Sequence, residues 1–310
     1  MATMQAVVDV TAKPSKKYMD KVLGYVALTK PRIIELLLIT TVPTMFLAKK
    51  GVPGLALVLW TIAGGTLAAG GANGANMVID RDIDAKMQRT KSRPLVTGAV
   101  SWQGALVFSV LLEVAAFIML LAEVNLLSAV LALGATLFYV FVYTLLLKRN
   151  STQNIVIGGA AGAMPVLVGW AAVTGGINLT PILLAAVIFT WTPPHFWALA
   201  IKYKEDYSNV NVPMLPAVKS LRRTTNEIIA YTIVTVVLTV VLIPLAKLNL
   251  IYVIAAVFGG VAFIYYSFKL KFDPTLKRAL SLFKYSITYL TVLFLAVGVD
   301  ALLIHRLQSF

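Results

Sequence analysis

Asn76, Asp80 and Asp84 recur every four residues, so on a helix their amide and carboxyl oxygens line one face about two turns long. They belong to the stretch NGANMVIDRDIDAKMQRTKSRP, Asn73 to Pro94, which holds three of the chain's thirteen carboxylates within five residues. Lys86, Arg89, Lys91 and Arg93 follow them. Oxygen ligands in this pattern suit a hard cation such as Mg²⁺, which proteins bind through a few carboxylates together with phosphate oxygens of a substrate. Arg89 and Arg93, again four apart, suit bidentate contacts to phosphate. The chemistry indicated is the handling of a polyphosphate. A lone D-x-x-x-D is equally at home at a solvated helix end, paired with local arginines. Asn76 shifts the balance, because it lies a turn deeper in an apolar segment, where an amide is costly unless used. Asn73 adds a further turn of polar face.

Positioning such a motif falls to a membrane bundle. The 310-residue chain is 59% hydrophobic, its mean hydropathy is +0.85, and its repeated apolar runs near 20 residues predict transmembrane helices. Nine spans are expected, at 31–48, 54–78, 101–121, 124–147, 154–174, 179–201, 226–246, 249–270 and 284–305. The fold class is thus all-α integral membrane, with a 1–30 tail and a single polytopic domain over 31–310. The absence of cysteine excludes disulfides, thiolate metal sites and cysteine nucleophiles, and two histidines exclude a multi-histidine metal site. A net charge of +14 would suggest nucleic acid, but the cations sit in short loops, as in polytopic membrane proteins. The bilayer, and no nucleic acid, is the expected partner.

Cation placement predicts orientation. Of the 27 lysines and arginines, 23 fall on the side of the N-terminus, leaving Lys49, Lys50, Lys247 and Arg306 opposite. The positive-inside rule makes that N-terminal side cytoplasmic and the C-terminus external. Residues 1–30 are basic, lack the apolar core of a signal peptide and contain no arginine, which points to a cytoplasmic tail and a bacterial plasma membrane. A faint repeat spans four helices. Asp84 precedes Pro94-Leu-Val by ten residues, and Asp206 precedes Pro216-Ala-Val by the same offset. Two such loops on one face could converge over a cavity between helical halves.

The pattern N-x-x-x-D-x-x-x-D followed by K-M-x-R-T-x-x-R-P-L resembles the first signature of the UbiA superfamily of intramembrane prenyltransferases. The resemblance covers most of the chain, from Lys30-Pro31-Arg32 to the loop after the eighth span. YTLLLKRNSTQNIVIGGAAGAMPVLVGW and WTPPHFWALAIKYKEDYSNVNVPMLP are similar to its haem branch, the protohaem IX farnesyltransferases. That likeness implies nine helices around a central cavity, with farnesyl diphosphate and haem B as substrates, haem O as product and a downstream haem A synthase as a partner. By it, Asn76, Asp80, Asp84 and Asp206 hold Mg²⁺–diphosphate, with Arg89, Arg93, Lys148 and Lys202 as diphosphate contacts. Two departures stand out. Lys202 occupies the place of the first aspartate in the usual second acidic motif, which puts a second Mg²⁺ in doubt. Tyr143 stands five residues before Lys148, where the wider superfamily often has a tyrosine four before.

His195 follows Pro193-Pro194 among Trp191, Phe196 and Trp197. It reads either as a hydrogen-bonded bundle histidine or, with haem as acceptor, as a haem-binding residue that ligates iron or positions a propionate. His305 is read as structural. Glu113 and Asp300, acids inside spans, are functional candidates or protonated packing groups, and Glu35 is expected to pair with a cation at the interface. The glycine pairs 64–65, 70–71 and 158–159 predict close helix contacts. Three rivals stand beside the haem reading. The first is a related prenyltransferase acting on a quinone-precursor aromatic. The second is a transporter or channel, disfavoured by charges gathered at one rim. The third is a haem-handling protein without catalysis, which has no need of Asn76, Asp80, Asp84 and Arg93 together.

Overall fold

The computed structural model describes residues 16–308, without the side chains of 16–18, 32, 33, 35–37 and 304–308. The expectations for Glu35 and His305 therefore lie outside the described residues. Ten long helices follow one another: α1 Lys16–Leu28, α2 Pro31–Lys49, α3 Leu55–Ile79, α4 Trp102–Glu123, α5 Leu126–Leu147, α6 Asn154–Thr174, α7 Leu179–Lys202, α8 Leu221–Ala246, α9 Leu250–Phe272 and α10 Leu276–Gln308. Among the described residues, the eight from α3 to α10 are long and apolar enough to cross a membrane, whereas the apolar part of α2 is the shorter Leu38–Lys49.

Local sequence marks where several of these helices begin. Ser101, Asn125, Asn178 and Ser220 each accept a hydrogen bond from an amide two or three residues on, satisfying a donor the helix itself leaves free. α8 starts at Leu221 rather than 226, and α10 at Leu276 rather than 284. The early turns carry Arg222, Arg223, Lys277 and Arg278, which lower hydropathy while the backbone ladder continues into the interface. The tail expected over 1–30 is helical over Lys16–Leu28. Met19, Val22, Leu23 and Val26 stay exposed at i, i+3, i+4, i+7, while Leu28 is buried and Tyr25 packs edge-on against Phe108. An outward apolar stripe of this kind suits a helix lying in the membrane interface.

Neighbouring helices pack in sequence order from α2 round to α10, which returns to α2; α6 and α7 touch α2 and α10 respectively across the interior. Small residues let the walls close. A Cβ on Gly71 would stand 2.8 Å from the Ser109 carbonyl oxygen, so α3 and α4 meet backbone to backbone there. The two intramembrane acids make structural bonds. Asp300 accepts from the amides of Asn249 (2.6 Å) and Tyr252 (3.2 Å), capping α9 from α10. Glu113 accepts from the Thr136 hydroxyl at 3.0 Å, tying α4 to α5.

α5 changes pitch. Its last ten residues, Phe138–Leu147, form a π-helix, with the Lys148 amide bonded to the Tyr143 carbonyl at 2.8 Å and the Thr144 hydroxyl to the Tyr139 carbonyl at 2.8 Å. Each spans five residues, one more than in an α-helix.

Candidate active site

The interior holds a cavity of about 570 Å³ walled by α2, α3, α5, α6, α7 and α10. One end is cationic and polar, with Lys30, Asn76, Arg89, Arg93 and Lys148 reaching it. A second part is lined by small residues, among them Gly65, Ala68, Ala72, Ala132, Ala161 and Gly162. A third region is aromatic, with Trp191, His195, Phe196 and Phe283.

At the polar end the expected helical face exists, but it closes with a break. α3 stops at Ile79, and Asp80 joins it to the turn Arg81–Asp84. Asn76 is the hub. Its amide nitrogen donates to Asp80 Oδ2 (2.7 Å) and the Thr144 hydroxyl (3.2 Å), and its oxygen accepts from Lys30 Nζ at 3.0 Å. Asp80 is fully buried and also pairs with Lys148, while buried Asp84 pairs with Arg93 at 2.5 Å. The carboxylates lie just behind the cavity wall, and the amide and the cations face it.

Lys30 arrives through an unusual backbone. It takes a left-handed conformation, φ 53° and ψ 63°, between α1 and Pro31, a strained choice for a residue with a side chain. Burial, followed by the nearby charges of Arg93 and Lys148, lowers its pKa to about 7. Burial likewise lowers that of Lys148 despite its contact with Asp80. Cations crowded and dehydrated in this way favour an incoming polyanion. At the edge of the cluster, Arg149 stands 3.7 Å from Asp80 Oδ1 and grips Asp82 through two bonds of 2.8 and 2.7 Å, which hold the Asp82 carboxyl down at about 2.

The π-helix accounts for the odd spacing of Tyr143. With five residues between bonded groups, Tyr143 and Lys148 both reach the cavity, and Tyr139 stacks on Tyr143 at 5.4 Å. Gly158 makes room, since a Cβ there would lie 2.3 Å from the Tyr143 ring. Asn154, buried at the start of α6, donates to the Lys148 carbonyl at 3.3 Å and steadies the turn that carries this lysine. Lys30 and Thr144 escape a motif reading because each lies far in sequence from Asn76, which both touch.

The second loop differs from expectation. Asp206 does not face the cavity. Its carboxylate accepts from the backbone amides of Gln88 (3.3 Å) and Arg89 (3.1 Å), so the two loops of the faint repeat do converge, joined by this clamp. Asp206 is expected among the metal ligands; here each of its oxygens accepts one backbone amide of the loop that carries Arg89. Lys202 is also off the wall, its ammonium 5.2 Å from the Tyr203 ring, over which Arg89 lies at 5.7 Å.

Among the described residues no three carboxylates or histidines converge on one point. Two carboxylates and the Asn76 amide remain, and Asp80 Oδ1 is buried with no hydrogen-bond partner. That oxygen lies 3.7 Å from the Arg149 guanidinium, and a buried carboxylate oxygen with no hydrogen bond fits a cation that completes its shell with phosphate and water.

A profile of the UbiA prenyltransferase family matches residues 37–296. The chain is 51% identical over 288 residues to a protoheme IX farnesyltransferase of Clavibacter sepedonicus, covering 91% of this chain and 94% of that one. Among solved structures, a digeranylgeranylglyceryl phosphate synthase superposes with TM-score 0.76 at 19% identity, covering 92% of this chain and 99% of the other. A UbiA homologue from Archaeoglobus fulgidus bound to GPP and Mg²⁺ gives 0.62 at 16% identity, covering 89% and 99%.

Proposed function

The chain belongs to the UbiA prenyltransferase family, and we infer that it transfers the farnesyl group of farnesyl diphosphate to a vinyl group of protohaem IX, giving haem O. The observation that carries this reading is one cavity whose lining combines a cationic rim, a wall of glycine and alanine, and a cluster of aromatic residues. A diphosphate suits the first part, a polyprenyl chain the second and a flat macrocycle the third.

The farnesyl C1–O bond breaks and the electron pair leaves with diphosphate, whose growing charge Lys30, Arg89, Arg93 and Lys148 stabilise. The allylic cation forms a C–C bond to the outer vinyl carbon. Water adds to the inner carbon and loses a proton, leaving a hydroxyethylfarnesyl side chain. Asn76, Asp80 and Asp84 would hold Mg²⁺, which supplies Lewis-acid neutralisation of the leaving diphosphate. The dry wall protects the cation from premature capture. Asp206 belongs to this reading as the acceptor that steadies Arg89, and Lys202 as a cation at the mouth.

The multi-pass membrane protein, with α2 counted as a ninth span and the cationic rim facing the cytoplasm, suits a bacterial plasma membrane and a product passed on to a haem A synthase. The test is turnover by purified protein in detergent with farnesyl diphosphate, haem B and Mg²⁺, with haem O detected by mass. Consumption of farnesyl diphosphate only with a quinone-precursor aromatic would assign a different acceptor.

A further inference from the structure

His195 is built into the aromatic pocket with more constraint than packing requires. Trp191 stacks on one side of the imidazole at 4.2 Å, and Phe283 stacks against it at 4.6 Å. Nδ1 lies 2.7 Å from the buried Ser286 hydroxyl. That hydroxyl has its single proton committed to the Phe283 carbonyl at 2.7 Å, so towards the ring it acts as acceptor. The neutral imidazole is therefore the Nδ1–H tautomer, and Nε2 carries a free lone pair. Trp191 binds the same turn of α10 a second time, its indole N–H donating to the Ser286 carbonyl at 2.8 Å. His195 lines the cavity, and with its ring stacked by Trp191 and Phe283 and Nδ1 engaged, Nε2 is the ring nitrogen left for a ligand there.

We propose that His195 Nε2 is an axial ligand to the iron of the substrate haem, with Ser286 as the positioning residue that fixes its tautomer. The inference rests on haem as acceptor and deepens that reading. Metal-bound histidines characteristically donate their other ring N–H to an oxygen, which sets ring orientation and raises basicity. The bond is lone-pair donation into an open axial position, with no change in oxidation state. Holding the macrocycle by its metal fixes the distance from iron to every vinyl group, while leaving the periphery free to meet the prenyl cation. It also selects porphyrins that contain a metal able to take an axial nitrogen.

Full-length protein in detergent, titrated with ferric haem B, tests this by absorption and electron paramagnetic resonance. The parent protein should give a histidine-ligated spectrum. His195→Ala should lose it and recover it on adding free imidazole. Ser286→Ala should keep the spectrum but bind haem about tenfold more weakly. His195 and His305 are the only histidines in the sequence, so a His305→Gln protein labelled with ¹⁵N-histidine should show ¹⁵N coupling to iron without any change at the site. A His195→Ala spectrum identical to the parent's, or no ¹⁵N coupling, overturns the ligation. Haem O still detected by mass in that case leaves the transfer reading standing, whereas loss of haem binding and of haem O in the parent removes both.

Discussion

The two loops that the repeat relates have diverged in what their acids do. In the first, Asp80 and Asp84 are buried and paired with Lys148 and Arg93 at the edge of the cavity. In the second, Asp206 sits outside and accepts from two backbone amides of the first loop. One loop gathers cations at the cavity and the other holds its backbone. The difference follows from local surroundings. Asp80 ends a helix whose last turns are buried, whereas Asp206 lies on the short exposed helix Lys204–Asn209, within reach of unsatisfied N–H groups. A shared sequence offset therefore preserved where the chain turns and not what the carboxylate touches.

The sharpest way to break this contrast is Asp80→Ala. It removes a charge that orders Asn76 and Lys148 together, and turnover should fall by at least 10²–10³-fold; retention of most activity would move the diphosphate site elsewhere. Arg93→Lys keeps the charge and loses the planar fork on Asp84, so a fall of about tenfold in kcat/KM for farnesyl diphosphate is expected in steady-state assays. Asp206 separates the roles by chemistry. Asp206→Ala should raise KM for the diphosphate several-fold and expose the bonds after Lys86 and Arg89 to trypsin. Asp206→Asn, which keeps one of the two acceptors and sets an NH2 against the other amide, should fall between parent and Ala in both, with unchanged Mg²⁺ dependence. If Asn behaves like Ala and the Mg²⁺ requirement rises, the clamp is instead a metal ligand. The smallest effect belongs to Asp82. Its carboxyl is held at about 2 against an ordinary 3.8 by Arg149, so its contribution is complete above pH 3.8 and is lost as pH falls through 2. Being largely exposed, the pair should contribute no more than about 1 kcal/mol, and Asp82→Asn should flatten only that acid limb of a stability profile.

Much of this architecture is legible in the sequence because lipid imposes length and apolarity on every span. The eight helices from α3 to α10 follow the expected runs, and the offset from Asn76 to Asp84 indicates a polar face before any coordinates exist. What hydropathy misses is interface. α1 was read as tail because its stripe of Met19, Val22, Leu23 and Val26 is diluted by lysines, and α8 and α10 begin under arginines that an apolar window rejects. Tertiary partners are harder still. Nothing near Asp206 in sequence indicates the amides of Gln88 and Arg89, which lie more than a hundred residues away, and nothing near His195 indicates Ser286, on α10. These contacts depend on which helices meet, and periodicity carries no information about that.

The π-helical end of α5 makes one further point, about counting. Phe138–Leu147 is almost wholly apolar, and most of its residues could be exchanged among hydrophobes without touching the cavity. Removing any one of them, with the wider pitch kept, would swing everything after the deletion round the helix axis by the better part of a right angle. Lys148 would then leave Asp80, and Asn154 would lose the carbonyl it holds. The information in that segment is its number of residues, so an alignment gap there would be a stronger warning of lost activity than several substitutions.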